Sequence, residues 1–200
     1  ARTNAGINND GGVSSIYSTA GNVTLTGNGV SADKGINVVS GATLYIGYNA
    51  ADTVNTSGNI LLQANSLNVA GALNLKNAGL LTIEPIATSF TSAFTWPIAN
   101  INILSTAGLT LGKSGNASDM TIGSAVTIAG PIKIYGGNIA INAALTASGT
   151  NTIWLYGSGN VTDGASGYLV ADKLALIGGA VTLNSASNNV GTIAGESLTS

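Results

Sequence analysis

A three-residue pattern, apolar–polar–apolar, recurs along almost the whole chain and constrains its fold more than any other feature. Examples are Val23-Thr24-Leu25, Leu73-Asn74-Leu75 and Ile132-Lys133-Ile134. Gly-Asn or Gly-Ala usually precedes each unit, and Gly, Asn or Ser follows it. Alternation with a period of two is typical of a half-buried β-strand. The pattern therefore predicts an all-β chain made of very short strands.

The spacing of these units indicates how the strands are arranged. When every third unit is taken, the number of residues between successive starts is nearly constant. One such series starts at residues 60, 81, 101, 120 and 139, and another starts at 132, 153 and 174. Such a rhythm is typical of a β-solenoid, whereas a sandwich has strands of about five or six residues and turns every 8–12. We therefore predict a right-handed parallel β-helix with about 20 residues and three short strands per coil.

Each coil of such a helix buries one apolar stripe per strand, and stacked coils join the stripes into one core. The outward Thr, Asn and Ser side chains can then exchange hydrogen bonds with their neighbours in adjacent coils. The residues predicted to face inward are Leu44, Ile46, Ile60, Leu62, Leu73, Leu75, Ile101, Ile103, Ile122, Ile134, Ile141, Leu155, Leu176 and Leu183.

The whole chain, residues 1–200, is interpreted as one β-helix segment of a longer repeat protein, with two interruptions. Residues 1–20 are predicted to be irregular or an incomplete first coil. Residues 84–98 form a loop-like excursion that holds both phenylalanines and one of the two tryptophans. Its rings, Phe90, Phe94 and Trp96, are the candidate ligand-facing residues. The alternative, which we favour, is that these rings fill the core where the excursion replaces one side of a coil.

The charge composition excludes several functions. Six Lys and Arg against eight Asp and Glu give a net charge of −2, which leaves too few cations to neutralise phosphates or an anionic membrane. We therefore predict no nucleic-acid partner, and the lack of an 18-residue apolar run predicts no membrane insertion. The chain has no His and no Cys, which excludes the usual zinc sites, cysteine nucleophiles and Ser-His triads.

Carboxylates are the remaining candidates for catalysis, because β-helix lyases and glycosidases need them in clusters. The eight are scattered and mostly lie in predicted turns, where Asp is common for its backbone hydrogen bonds. Asp33 and Asp52 are separated by about one repeat and could lie on adjacent coils, where stacked carboxylates would suit calcium. We predict no enzyme, no catalytic residue, no cofactor and no metal ligand. The eight carboxylates are Asp10, Asp33, Asp52, Glu84, Asp119, Asp163, Asp172 and Glu196.

Several repeats resemble those of filamentous-haemagglutinin-type exoproteins, which are large bacterial β-strand-repeat adhesins. The similar stretches are Gly-Asn-Val-Thr-Leu-Thr at 21–26, Gly-Asn-Ile-Leu-Leu-Gln at 58–63 and Gly-Gly-Asn-Ile-Ala-Ile-Asn at 136–142. The resemblance covers about residues 20 to 195 and implies export by two-partner secretion or a related outer-membrane route. The family's secretion domain carries an Asn-Pro-Asn type motif that is missing here. The resemblance therefore implies an internal segment of the shaft.

These observations predict a structural and adhesive segment of a secreted or cell-surface bacterial filament. The expected partners are a glycan or protein on a host or neighbouring cell, an outer-membrane secretion partner for the parent chain, and further copies joined end to end. The alternative is a carbohydrate-binding or carbohydrate-active β-helix like those of tail-spikes and lyases. A groove lined by acidic and aromatic residues would favour this alternative, whereas a uniform Thr, Asn and Ser exterior would favour a shaft.

Overall fold

The computed structural model describes residues 7–27 and 35–197, and all regular structure in these ranges is β-strand. The strands are β1 (Ile7–Asn9), β2 (Val13–Ile16), β3 (Val23–Gly27), β4 (Ile36–Val38), β5 (Thr43–Ile46), β6 (Ile60–Ala64), β7 (Leu67–Val69), β8 (Ala72–Lys76), β9 (Leu80–Glu84), β10 (Phe94–Trp96), β11 (Ile101–Ser105), β12 (Gly108–Leu111), β13 (Met120–Ile122), β14 (Val126–Ile128), β15 (Ile132–Gly136), β16 (Ile139–Ile141), β17 (Ala144–Ala147), β18 (Thr152–Gly157), β19 (Val161–Asp163), β20 (Tyr168–Gly178), β21 (Val181–Thr182) and β22 (Asn189–Ser197).

The chain divides into two compact units. The first unit contains Ala1–Ala87 and Ile98–Ala107, and the second contains Thr88–Pro97 and Gly108–Ser200. The strand pairs in both units are parallel. The prediction of an all-β, solenoid-like parallel fold is confirmed.

In the first unit the strands pair in three series, β1-β4-β7, β2-β5-β8-β11 and β3-β6-β9. The distance along the sequence between paired residues varies widely. Ile60 pairs with Leu81 after a single short step, but Val23 pairs with Ile60 across a much longer connection. The predicted repeat therefore describes only part of this unit, because longer connections separate its strands.

In the second unit the series are β10-β13-β16-β19-β21, β12-β15-β18-β20-β22 and β14-β17-β20. The long strand β20 belongs to two series, because its first residues pair with β17 and its later residues with β18. Ile132 pairs with Ile153, and Ile153 pairs with Leu174 after an equal step along the sequence. The predicted series at 132, 153 and 174 is therefore confirmed.

The other predicted series is wrong, because it combines strands of different series. Ile60 pairs with Leu81 through β6 and β9, whereas Met120 pairs with Ile139 through β13 and β16. Ile101 pairs with Leu73, and Phe94 pairs with Met120. Part of the predicted excursion at 84–98 forms a strand, β10, whose Phe94 pairs with Met120, where the sequence predicted Ile101. The predicted irregular stretch at 1–20 likewise contains β1 and β2, while its residues 1–6 lie outside the described residues.

Alternation along each strand produces the core. Residues at the first and third positions of β13, β15 and β16 are buried, and the residues between them reach the surface. All but two of the residues predicted to face inward are buried. Ile103 is half-buried because β11 is the last strand of its series, and Leu183 is half-buried because it follows the edge strand β21.

Candidate functional site

The aromatic residues predicted as candidate ligand contacts are buried in the second unit. Phe90 is 5%, Phe94 8% and Trp96 1% exposed. The Phe90 and Phe94 rings stack with centroids 4.5 Å apart, and Phe94 and Trp96 lie 6.2 Å apart with nearly parallel planes. Their packing is that of core side chains, since buried rings contribute mainly by removing apolar area from water. These three rings do not form an exposed platform.

The carboxylates in the described ranges do not converge. No group of three or more Asp, Glu, His or Cys side chains that could hold a metal occurs among the described residues. Asp52 forms an ion pair with Lys76 at 2.6 Å, and Asp172 forms one with Lys173 at 2.9 Å. Asp33, which was considered together with Asp52, lies outside the described residues. Two of the described carboxylates therefore have a lysine as their ionic partner.

Much of the surface is occupied by polar side chains that bond to one another. In the first unit, the amides of Asn8, Asn37 and Asn68 form a ladder with two hydrogen bonds of 2.6 Å. A second ladder runs from Thr26 to Gln63 at 3.1 Å and from Gln63 to Glu84 at 2.8 Å. Because parallel register places like positions side by side, these groups form hydrogen bonds with one another.

One surface of the second unit differs, and we call its residues Lys133, Tyr135, Trp154 and Tyr156 the aromatic face. Alternation along β15 turns Lys133 and Tyr135 outward, and alternation along β18 does the same for Trp154 and Tyr156. The register places Lys133 beside Trp154 and Tyr135 beside Tyr156. All four side chains are half-buried. Two short strands thus bring three large rings together on a surface that water can reach.

The geometry of the aromatic face is that of two stacked pairs. The Tyr135 and Tyr156 rings stack with centroids 4.8 Å apart and planes inclined by 14°. The Lys133 ammonium lies 5.0 Å from the centroid of the Trp154 ring, within the range of a cation–π contact. Burial, and to a smaller extent the adjacent Tyr156, raises the pKa of Tyr135 above its ordinary value. A tyrosine hydroxyl is protonated at neutral pH, where it can both donate and accept a hydrogen bond, and this shift favours the protonated form further.

An open groove of about 460 Å³ runs beside the two tyrosines, and we call it the tyrosine groove. Its lining includes Tyr135, Tyr156 and Ile177 together with residues 114–117. The paired glycines Gly136 and Gly157 also line it. A side chain at Gly136 would lie only 2.5 Å from Met120, so the close packing beneath this position requires glycine.

A buried asparagine holds residues 114–117 of the lining in place. Asn116 is 3% exposed, and its Nδ2 donates to the main-chain oxygen of Tyr135 at 2.7 Å. Its Oδ1 accepts from the main-chain N–H of Ser118 at 3.3 Å. The segment that contains Asn116 follows β12 and begins at Gly112. The φ of Gly112 is +74°, in the left-handed region that favours glycine. The segment 114–117 is therefore bonded directly to the strand that carries Tyr135.

The first unit contains a tyrosine cluster of a different kind. Tyr48 is 4% exposed and contacts Tyr45 edge-on at a centroid distance of 5.1 Å. Lys76 lies 5.7 Å above the Tyr48 ring while it pairs with Asp52. Burial, and then the nearby Tyr45 and Asp52, raises the pKa of Tyr48. Lys76 and Asp52 bond to each other and Tyr48 is buried, so we interpret this cluster as structural.

The aromatic face was not identified from the sequence, although the sequence carries a signal for it. Tyr-Gly occurs at 135–136 and again at 156–157, a step equal to that of the confirmed series at 132, 153 and 174. Composition points instead to the segment richest in aromatic residues. The spacing of rings by one repeat is the better indicator, because rings at the same register position become neighbours on the surface.

No family model, curated protein or solved structure matches this chain. Among the described residues there is no helix of the length and apolarity that crossing a membrane requires.

Proposed function

We propose that this chain is a non-enzymatic, adhesive segment of a secreted or surface-exposed bacterial filament, built as a right-handed parallel β-helix with three strands per coil. Strand numbers rise by three along most of each series, and this supports three strands per coil. The main support for attachment is the aromatic face, because Trp and Tyr rings that are half-buried can contact a partner with little further loss of side-chain freedom. Secretion through an outer-membrane partner belongs to the same proposal and rests on the family resemblance.

The alternative of a carbohydrate-active enzyme is less well supported. The tyrosine groove has aromatic residues but no acidic residue in its lining. Glycoside hydrolysis generally needs two carboxyl groups at a defined separation. A carbohydrate-binding function without catalysis is compatible with the groove and can be combined with attachment.

Attachment can be tested with beads that carry many copies of the full chain. We expect such beads to be retained on at least one of a panel of epithelial and bacterial cell layers, while the soluble monomer binds weakly, since many weak contacts add through avidity. Beads that carry the heat-unfolded chain are the control. Retention no greater than that of the control on every cell layer would refute the attachment function.

The non-enzymatic part is tested separately. The purified chain, incubated with a panel of bacterial and host polysaccharides, should release no reducing ends and no unsaturated products. Turnover that co-purifies with the chain and disappears in a Tyr156→Ala variant would instead establish the carbohydrate-active alternative.

End-to-end association of copies also forms part of the proposal. Ile193 on β22 is in register with the buried Leu174, yet it is 64% exposed. A strand from another copy that paired with β22 would cover this residue and extend the hydrogen-bonded series. Sedimentation of the full chain should show concentration-dependent association that Ile193→Lys reduces, and a monomer at all concentrations would refute this part.

A further inference from the structure

The tyrosine groove has a lining that contains rings, small residues and polar atoms but no charged side chain. Tyr135, Tyr156 and Ile177 provide apolar surface, while Ser114 and Ser158 provide hydroxyl groups at its margins. Anionic ligands are usually held by Arg or Lys, and cations by carboxylates. The lining therefore suits a neutral ligand that has both apolar surface and many hydroxyl groups.

The groove also has a shape that suits a chain. Tyr135, Tyr156 and Ile177 occupy the same register position on three successive strands. Two strand spacings correspond to about 10 Å, which is the length of a short oligosaccharide. The groove is open to solvent, whereas binding sites for compact ligands are usually deeper and more enclosed.

We infer that the tyrosine groove binds a neutral saccharide chain. The apolar C–H face of a sugar ring packs against the tyrosine edges and Ile177, and its hydroxyl groups bond to the Tyr135 and Tyr156 hydroxyls and to Ser158. The protonated state of the Tyr135 hydroxyl at neutral pH is compatible with this role. Stacking between the two rings holds both phenols in position before the ligand arrives, and this lowers the entropic cost of binding.

This inference rests on the proposed function, because it names the ligand of the surface to which attachment is assigned. A protein ligand is a different proposal and is less well supported. Peptide recognition by β-proteins commonly adds a strand at a free sheet edge, whereas β15 and β18 are each paired on both sides. A sulfated or uronate-rich polysaccharide is likewise less well supported, since its charges would meet no cation in the lining.

The test measures binding of the full chain to immobilised neutral oligosaccharides, with sulfated and uronate-containing chains on the same surface. We expect binding to at least one neutral saccharide, and Tyr156→Ala should weaken it about tenfold, the equivalent of about 1.4 kcal/mol. Tyr45→Ala, which removes a half-buried tyrosine from the first unit, is the matched control and should leave binding unchanged.

A second variant makes the test independent of the stability of the tyrosine pair. Ser158 is exposed at the groove margin, so Ser158→Trp should fill the groove and abolish binding while both tyrosines stay in place. Ser124→Trp adds the same bulk at an exposed position outside the groove and should have no effect. Circular dichroism should confirm the fold of every variant.

The outcomes separate this inference from the proposed function. If beads attach to cells but no neutral saccharide binds, or if Ser158→Trp and Tyr156→Ala bind saccharide as the wild-type chain does, the groove inference is refuted and attachment stands. Preference for charged chains, or attachment that is removed by protease treatment of the cells and not by glycosidase treatment, also refutes it. If the groove binds saccharide while beads attach to no cell layer, the adhesive function is refuted and the groove inference stands.

Discussion

The two units present different chemistry at equivalent outward positions of similar parallel strands. In the first unit, Thr26, Gln63 and Glu84 occupy one column and hydrogen-bond to one another. In the second unit, Tyr135 and Tyr156 occupy such a column and stack. A polar ladder satisfies its own hydrogen-bonding groups, whereas stacked rings keep accessible edges and hydroxyl groups. The side chains of an outward column can thus bond to one another or remain accessible to a ligand. Neither arrangement requires a change in the strand pairing.

Both units share a ladder of Asn and Asp side chains that accept hydrogen bonds from the main chain of the next strand's segment. In the first, Asn22 Oδ1 accepts the N–H of Asn59, whose own Oδ1 accepts the N–H of Leu80, both at 2.8 Å. In the second, Asp119 accepts from the N–H of Asn138 at 2.8 Å. Asn138 Oδ1 then accepts the N–H of Asn160 at 2.9 Å. The two units therefore share this ladder but differ in the side chains of their outward columns.

The largest expected effect tests whether the two cores are equivalent. Ile141→Asp in the second unit and Leu75→Asp in the first each place a carboxyl group at a fully buried position. Each should lower the free energy of unfolding by several kcal/mol, because neither site offers a partner for the charge. Urea denaturation of both variants is the measurement.

Outward controls complete that test. Ala140→Asp and Thr127→Ser change residues on the surface side of the same unit, and Thr127→Ser should stay within about ±0.5 kcal/mol of the wild-type chain. If Ala140→Asp were as destabilising as Ile141→Asp, the assignment of inward and outward residues would be wrong.

A smaller loss of stability is expected when the ladder of Asn and Asp side chains is interrupted. Asn59→Ala leaves the N–H of Leu80 without its partner, and Asn138→Ala does the same to the N–H of Asn160. Each should cost about 1 kcal/mol, since an unsatisfied donor that water can partly reach is only moderately unfavourable. Chemical denaturation should give similar losses for the two variants, and a loss confined to one unit would show that the ladder is not a shared device.

The next effect distinguishes the surface columns. A double-mutant cycle on Tyr135 and Tyr156 should give a coupling energy of about 0.5–1.5 kcal/mol, as is usual for aromatic pairs. The corresponding cycle on Thr26 and Gln63, whose hydrogen bond is exposed, should give a smaller value within the roughly 0.2–1 kcal/mol range of cross-strand pairs. Equal coupling in the two cycles would contradict the proposed difference between a stacked column and a polar one.

The smallest effect is a dependence of stability on pH in the second unit. Burial tends to raise the pKa of Asp163, but hydrogen bonds from the N–H groups of Ser185 and Asn184 and from the Asn188 amide outweigh it, so the pKa lies below its ordinary value. Because the folded chain binds this proton less tightly than the unfolded chain, the stabilisation is present above about pH 4 and is lost as the pH falls through the lowered pKa.

Thermal unfolding of the wild-type chain and of Asp163→Asn between pH 2 and pH 7 measures this effect. The wild-type chain should be the more stable at pH 7, and the difference should shrink as the solution is acidified. A difference that is constant over the whole range would show that the three hydrogen bonds to the carboxylate do not depend on its charge.

The sequence alone was sufficient for the class of the fold and for most of its core. Alternation with a period of two identifies the inward residues because a strand must turn successive side chains to opposite faces. A constant step along the sequence was likewise enough to pair Ile132, Ile153 and Leu174 correctly. These features are local or strictly periodic, so they can be predicted without knowledge of the folded chain.

Where the connections between strands vary in length, only the tertiary structure decided which side chains share a column. It also decided which aromatic rings reach the surface. Ile101 pairs with Leu73, and Phe94 pairs with Met120, because an excursion can supply a strand and pairing depends on hydrogen bonding between distant segments. Composition marked Phe90, Phe94 and Trp96, but their burial follows from packing in three dimensions. The aromatic face instead arises from rings one repeat apart in the sequence that become neighbours only when β15 and β18 pair. A binding surface made by register is determined by which strands pair, and no single segment of the sequence contains it.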